Sequence, residues 1–186
     1  MPYFQPATNN IFGLAPAQGY PGSQQTNVYA VSSSEGTAIL PGDCIVRTSL
    51  GTVRAAVSAD SAHMMGAAAQ ALSTASFAQG TLNLLVYDDP IQHFSITNTS
   101  SANLTMAAIG KDIGIVTTAT GTGIPSTLVS RSKHALSATV TGSSGPGIVR
   151  LVALHPIETY SSNPTGTLKW IVKPAPATDF ASNLTT

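Results

Sequence analysis

Charged side chains are scarce in this sequence: eight acids and eight bases among 186 residues, 9% of the chain, with no net charge. An average soluble domain carries roughly a quarter charged residues. The surface must therefore be built mostly from Ser, Thr, Asn, Gln, Ala and Gly. Such a surface repels neighbours weakly and suits a protein packed against other copies or a larger assembly. No run of Lys and Arg is present. Without one, the counterion release that drives nucleic-acid affinity is missing, and no nucleic-acid partner is expected.

Cysteine is reduced to Cys44, which excludes an intramolecular disulfide, and no CxxC or Cys/His cluster offers tetrahedral metal ligands. The flanks GDCIVR read as the start of a strand with no neighbouring base to activate the sulfur, so a buried structural thiol is expected. Long apolar runs are also missing. No stretch approaches the ~20 residues of a membrane helix, and MPYFQPATNN lacks the basic and apolar regions of a secretion signal. Cytoplasmic synthesis and no membrane partner are the expectation. The N-x-Ser/Thr matches at Asn98, Asn103 and Asn183 are then products of a Thr/Ser/Asn-rich composition.

The common chemical motifs are absent as well. His63, His93, His134 and His155 fall singly, without HxH or HExxH spacing. There is no GxSxG elbow, and the glycine-rich GTGIPST and GSSGPG lack the lysine of a P-loop. No catalytic residue, metal or cofactor is expected.

What the chain does contain is β-like. Residues 1–26, MPYFQPATNNIFGLAPAQGYPGSQQT, hold four prolines and no charge, a composition that blocks helix and favours extended backbone. Tyr3, Phe4, Phe12 and Tyr20 are wide-spaced apolar anchors, so these residues read as an extended arm. It either docks on a neighbouring subunit, the preferred reading, or folds back on its own domain. From residue 27 short apolar runs alternate with Gly, Pro, Asp, Asn and Ser, the pattern of an all-β barrel or sandwich over 27–173. NVYAV (27–31) opens it. CIVRTSLGTVRAAVSA (44–59) reads as two strands joined by a tight turn at Ser49-Leu50-Gly51-Thr52. HMMGAAAQAL (63–72) fits helix and small-residue strand equally. TLNLLVY (81–87) sets Leu82, Leu84 and Val86 on one face, and QHFSIT (92–97) sets Phe94 beside Ile96. Further strands are expected at 103–109, 112–116, 134–140, 147–154 and 167–172, with a C-terminal tail over 174–186. Neither a fixed-period repeat nor a sustained heptad is present, which disfavours a fibre shaft or coiled-coil stalk.

Between two of these strands lies VYDDP. If the strand continued, adjacent Asp88 and Asp89 would point to opposite faces and could not converge on one substrate atom. Pro90 biases Asp89 to extended geometry and removes a ladder N–H, and aspartate favours turns by accepting nearby backbone N–H groups. Asp88, Asp89 and Pro90 therefore read as the corner of a β-hairpin. A catalytic pair would need a second acid from elsewhere, such as Asp43, Asp60 or Asp112, and nothing favours any of them.

Four segments together, PGDCIVRTSLGTVRAAVSAD (41–60), MMGAAAQAL (64–72), GTLNLLVYDDPIQHFSI (80–96) and GKDIGIVTTATGTGIPSTLV (110–129), resemble the head decoration or cement proteins of tailed bacteriophages. The resemblance covers roughly residues 37–130, and VYDDP followed by an aromatic strand is its most specific element. It implies a small β-barrel on the outside of an icosahedral capsid, often a homotrimer at local three-fold positions, clamping neighbouring major capsid subunits. The virion exterior is then the expected location and the major capsid protein the expected partner, with Tyr3, Phe4, Phe12 and Tyr20 as candidate contacts. The alternatives are a minor tail, spike or shell component of the same particle, or a glycan-binding or hydrolytic module using Asp88, Asp89 or His93.

Overall fold

The computed structural model describes residues 13–32, 37–57, 64–73, 82–99, 104–116, 132–141, 148–156, 158 and 168–175. Among them the chain is all-β, as its composition and punctuation lead one to expect, and contains no α-helix. Strands β2 (Asn27–Val31), β3 (Cys44–Arg47), β4 (Val53–Ala55), β5 (Gly66–Ala68) and β6 (Leu82–Tyr87) close a barrel in the order β2-β4-β3-β5-β6. Closure depends on one parallel pair, Val31 with Val53, and on a long antiparallel ladder from Asn27–Val86 to Val31–Leu82. The other strands are β1 (Ala15–Pro16), β7 (Phe94–Thr97), β8 (Asp112–Val116), β9 (Ala135–Thr141), β10 (Val149–Leu154) and β11 (Lys169–Pro174). They form one sheet, ordered β1-β7-β11-β10-β8-β9. This sheet curls on itself, because an isolated bridge between Asn98 and Leu136 brings the β9 end back beside β7.

Strand alternation explains how the two halves join. In β3, Ile45 points into the barrel with Val31, Ile39, Val53, Leu84 and Val86, while its neighbours Cys44 and Val46 point outward. These two join a larger cluster built around Phe94, Ile96, Leu136, Leu151 and Trp170 of the sheet. One strand thus serves two cores, and Cys44 is a fully buried thiol. Burial of Phe94 or Trp170 contributes on the order of 2–3 kcal/mol each. β5 needs small residues for the same reason. Ala67 faces the larger cluster, Ala68 faces the barrel interior, and a Cβ on Gly66 would land on the carbonyl oxygen of Tyr87.

The β3–β4 hairpin forms at the expected turn, with the Thr48 N–H donating to Thr52 O and Gly51 at φ +81°. The ambiguous 63–72 segment resolves as strand over Gly66–Ala68.

Two expectations are corrected. The first concerns 103–109, where Met106–Ala108 forms a single 3-10 turn in place of a strand. Only Ala108 of it is buried, so no alternating apolar face is available to pair. The second concerns VYDDP, which is not a hairpin corner. β6 pairs with β2 and β5 in the barrel, whereas β7 pairs with β1 and β11 in the sheet. Residues 88–93 are the link that carries the chain from one half to the other.

Candidate functional site

Among the described residues, the link 88–93 carries a dense group of polar contacts, many of them to residues 17–29. Asp88 accepts from the Asn27 amide at 2.9 Å on one carboxylate oxygen and 3.1 Å on the other, and from the Tyr29 hydroxyl. Donating to Asp88 holds the Tyr29 hydroxyl above its ordinary value of 10.0. Asp89 points elsewhere. Its carboxylate accepts the Ile91 N–H at 3.0 Å, an Asx-type turn, and the Ser23 N–H at 2.8 Å. These two backbone donors hold Asp89 below its ordinary 3.8. The turn itself closes by the Gln92 N–H donating to Asp89 O at 2.8 Å.

The next two side chains continue the clasp. Buried Gln92 accepts the Gln24 N–H at 3.0 Å and donates to its neighbour's carbonyl, His93 O, at 2.8 Å. Gly22, at φ +137°, passes so close to Gln92 that any Cβ there would collide with its amide group. The His93 backbone donates to Pro21 O and accepts from the Ala17 N–H, and the Tyr20 ring stacks on the His93 ring at 5.8 Å between centroids. The turn thus runs from Asp89 to Gln92, with Asp88 just ahead of it, and the two acids diverge toward separate partners. The geometry binds a strap; it does not aim two carboxylates at a common point.

A second polar cluster lies where the strap begins. His134, at the entrance to β9, is buried, and its Nδ1 accepts the Cys44 N–H at 2.9 Å. Its Nε2 faces Asp43 Oδ1 at 3.6 Å, while the other Asp43 oxygen accepts the Leu40 N–H at 2.8 Å. Burial pushes the imidazole below its ordinary 6.5, against the opposing field of Asp43. Although Cys, His and Asp meet here, the imidazole takes the backbone N–H of Cys44 on Nδ1 and turns Nε2 to Asp43. Neither nitrogen is set to draw a proton from the thiol as a nucleophilic site requires. Sequence reasoning missed this cluster because Cys44 and His134 are 90 positions apart. The one local signal was the Pro-Gly-Asp turn ahead of a strand.

Asp112 is taken by Arg150, its cross-strand neighbour, whose guanidinium donates at 2.8 and 3.2 Å and is held above its already high ordinary value by that pairing. His155, partly buried near Lys169, lies below its ordinary value because of burial first and that positive charge second. Asn98 is buried and accepts the Leu168 N–H, so the first N-x-Ser/Thr match is a structural asparagine. Asp60, His63, Asn103 and Asn183 lie outside the described residues, as do the arm aromatics Tyr3, Phe4 and Phe12. Among the described residues no group of three His, Cys, Asp or Glu is placed to hold a metal ion, and no helix is long and apolar enough to cross a membrane.

Comparison with protein-family models, with curated proteins and with solved structures finds no significant match to this chain.

Proposed function

We propose that this chain is a structural protein of a tailed-bacteriophage virion, bound as a trimer to the outer capsid surface, where it cements neighbouring major capsid subunits. The support begins with composition: a nearly uncharged β-domain presents a surface suited to association by area and shape. The observation that carries the reading is the use made of VYDDP, the most specific segment of the resemblance. Asp88 and Asp89 are both engaged in fastening residues 23–29 to the junction of the two β-halves. That is the work of a scaffold that presents an arm. Tyr20, the fourth candidate contact, stacks on His93 of its own domain, and residues 13–26 lie against that domain, so the arm narrows from residues 1–26 to those ahead of Gly13, with Tyr3, Phe4 and Phe12 as the contacts offered to the capsid. Each aromatic contributes on the order of 2 kcal/mol if buried there. Many copies on one shell multiply a modest individual affinity.

Deletion of residues 2–12 tests this directly, since it spares every described contact of the strap. The expected result is an unchanged melting temperature with a large loss of occupancy on capsids stripped of the protein. Full occupancy by the truncated chain would remove the arm from the mechanism. Immunogold labelling confined to a tail would replace the cement reading by a tail or spike component.

A further inference from the structure

We propose that residues 13–17 form an acid-released latch, in which protonation of His134 breaks its bond to the Cys44 N–H and frees the N-terminal strand from the sheet. This inference is independent of the virion reading. It rests on how three elements meet. The imidazole pins the 41–44 turn to the start of β9 through Nδ1 and Cys44 N. Two successive arm amides land on the two elements so pinned: the Gly13 N–H donates to His134 O and the Leu14 N–H to Gly42 O, both at 2.8 Å.

The fit leaves little slack. Gly13 has φ +98°, and a Cβ there would lie 2.7 Å from the Ser132 Cβ. Gly42 has φ +88°, with the place of its Cβ 3.1 Å from Leu14 O. The Ser132 hydroxyl accepts the His134 N–H at 3.1 Å and fixes the approach to the ring. Downstream, β1 is only the pair Ala15–Pro16 on the edge of the sheet, held further by the Ser95 hydroxyl on Ala15 O and by the Ala17 N–H on His93 O, so the contacts of Gly13 and Leu14 are the part of this stretch that the His134 region carries.

Only neutral imidazole can accept at Nδ1. A protonated ring presents an N–H there, donor against donor, and its bond to the Cys44 N–H is lost. Among the described residues, the groups facing the ring are the Asp43 carboxylate from the turn and the Cys44 residue of β3, with exposed Lys133 beside it in sequence. Residues 13–26 bring no charged side chain, their one titratable group being Tyr20 at His93. Asp43 favours the proton, but at 3.6 Å its attraction is outweighed by burial. The closed latch therefore takes up a proton less readily than the released one. Above the ordinary histidine value of 6.5 the latch is fully stable. As pH falls below it, the balance shifts toward release by up to about tenfold per pH unit, until the closed form titrates as well.

Cys44 is the chain's own reporter, since it is the one cysteine and shares an apolar cluster with Leu14. The full-length protein would be labelled with 4,4′-dithiodipyridine from pH 7.5 to 5.0, with rates divided by those of a free cysteine peptide. Relative labelling is expected to rise about tenfold or more. In parallel, NMR should show the Gly13 and Leu14 amides losing exchange protection over the same interval, while buried Trp170 keeps its fluorescence. The variant His134→Asn supplies a non-titrating acceptor near Nδ1 and should abolish the rise. A flat wild-type profile, an equal rise in His134→Asn, or a Trp170 change with the same midpoint would each overturn the latch. Because the NMR and fluorescence arms use only wild-type protein, they decide the matter even if the variant does not fold.

Discussion

The Asp89 carboxylate accepts the backbone N–H of Ser23 at 2.8 Å, across 66 positions of sequence. The contact joins the link between the two β-halves to the strap ahead of β2, and it recasts a pair of adjacent acids as fasteners. Asp89→Ala should speed amide exchange at Ser23 and Ile91, the two donors it leaves, without changing the strand ladders. NMR exchange rates at those two amides check it.

The same contact has an acid limit. Its backbone donors depress Asp89 below the ordinary 3.8, so its contribution is whole above that pH and is lost as pH falls through the lower, folded value. Exchange at Ser23 should therefore stay slow at pH 5, where protection of the Leu14 amide is expected to have fallen. If the Ser23 and Leu14 amides were exposed together, the strap would be a single cooperative unit, in conflict with two separate fastenings.

Arg150 and Asp112 form the best-made ion pair among the described residues, bidentate and cross-strand between β10 and β8. Arg150→Met should destabilise the domain by roughly 1–3 kcal/mol. This is less than the loss from breaking a fully buried pair, because a third of the Arg150 side chain is exposed. Urea denaturation measures it, and Asp112→Asn should cost less, since it leaves no buried charge behind.

Two glycines separate steric from conformational need. Gly51→Ala meets nothing within 4 Å but keeps φ +81°, so a loss of roughly 1–2 kcal/mol is expected. Gly66→Ala must displace the Tyr87 carbonyl from the β5–β6 ladder and should cost more, up to failure to fold. Parallel denaturation curves for the two variants test the ranking.

Most of this fold was legible because strands report themselves locally. The alternation Leu82, Leu84, Val86 and the Gly51 turn needed only neighbouring residues to be read. What escaped was set by partners far away. β6 and β7 look like a hairpin in sequence, yet each finds a better mate elsewhere, β2 for one and β11 for the other. β1 escaped because Ala15-Pro16 carries no strand signal and pairs only since Phe94 and Ser95 offer an edge. Asp89 and Pro90 do enter a turn, though not a hairpin's, and no local pattern could say that the partners of the two acids were Asn27, Tyr29 and Ser23. His134 with Cys44 was invisible for the same reason.

The central claim, a scaffold that binds a capsid through an N-terminal arm, is tested most directly by adding purified full-length protein to particles lacking it. Bound copies per capsid and the particle melting temperature are then followed against concentration. The account requires saturation at a fixed copy number matching the three-fold positions, with the particle melting temperature rising in step. Absence of saturable binding, or binding that leaves particle stability unchanged, would contradict it.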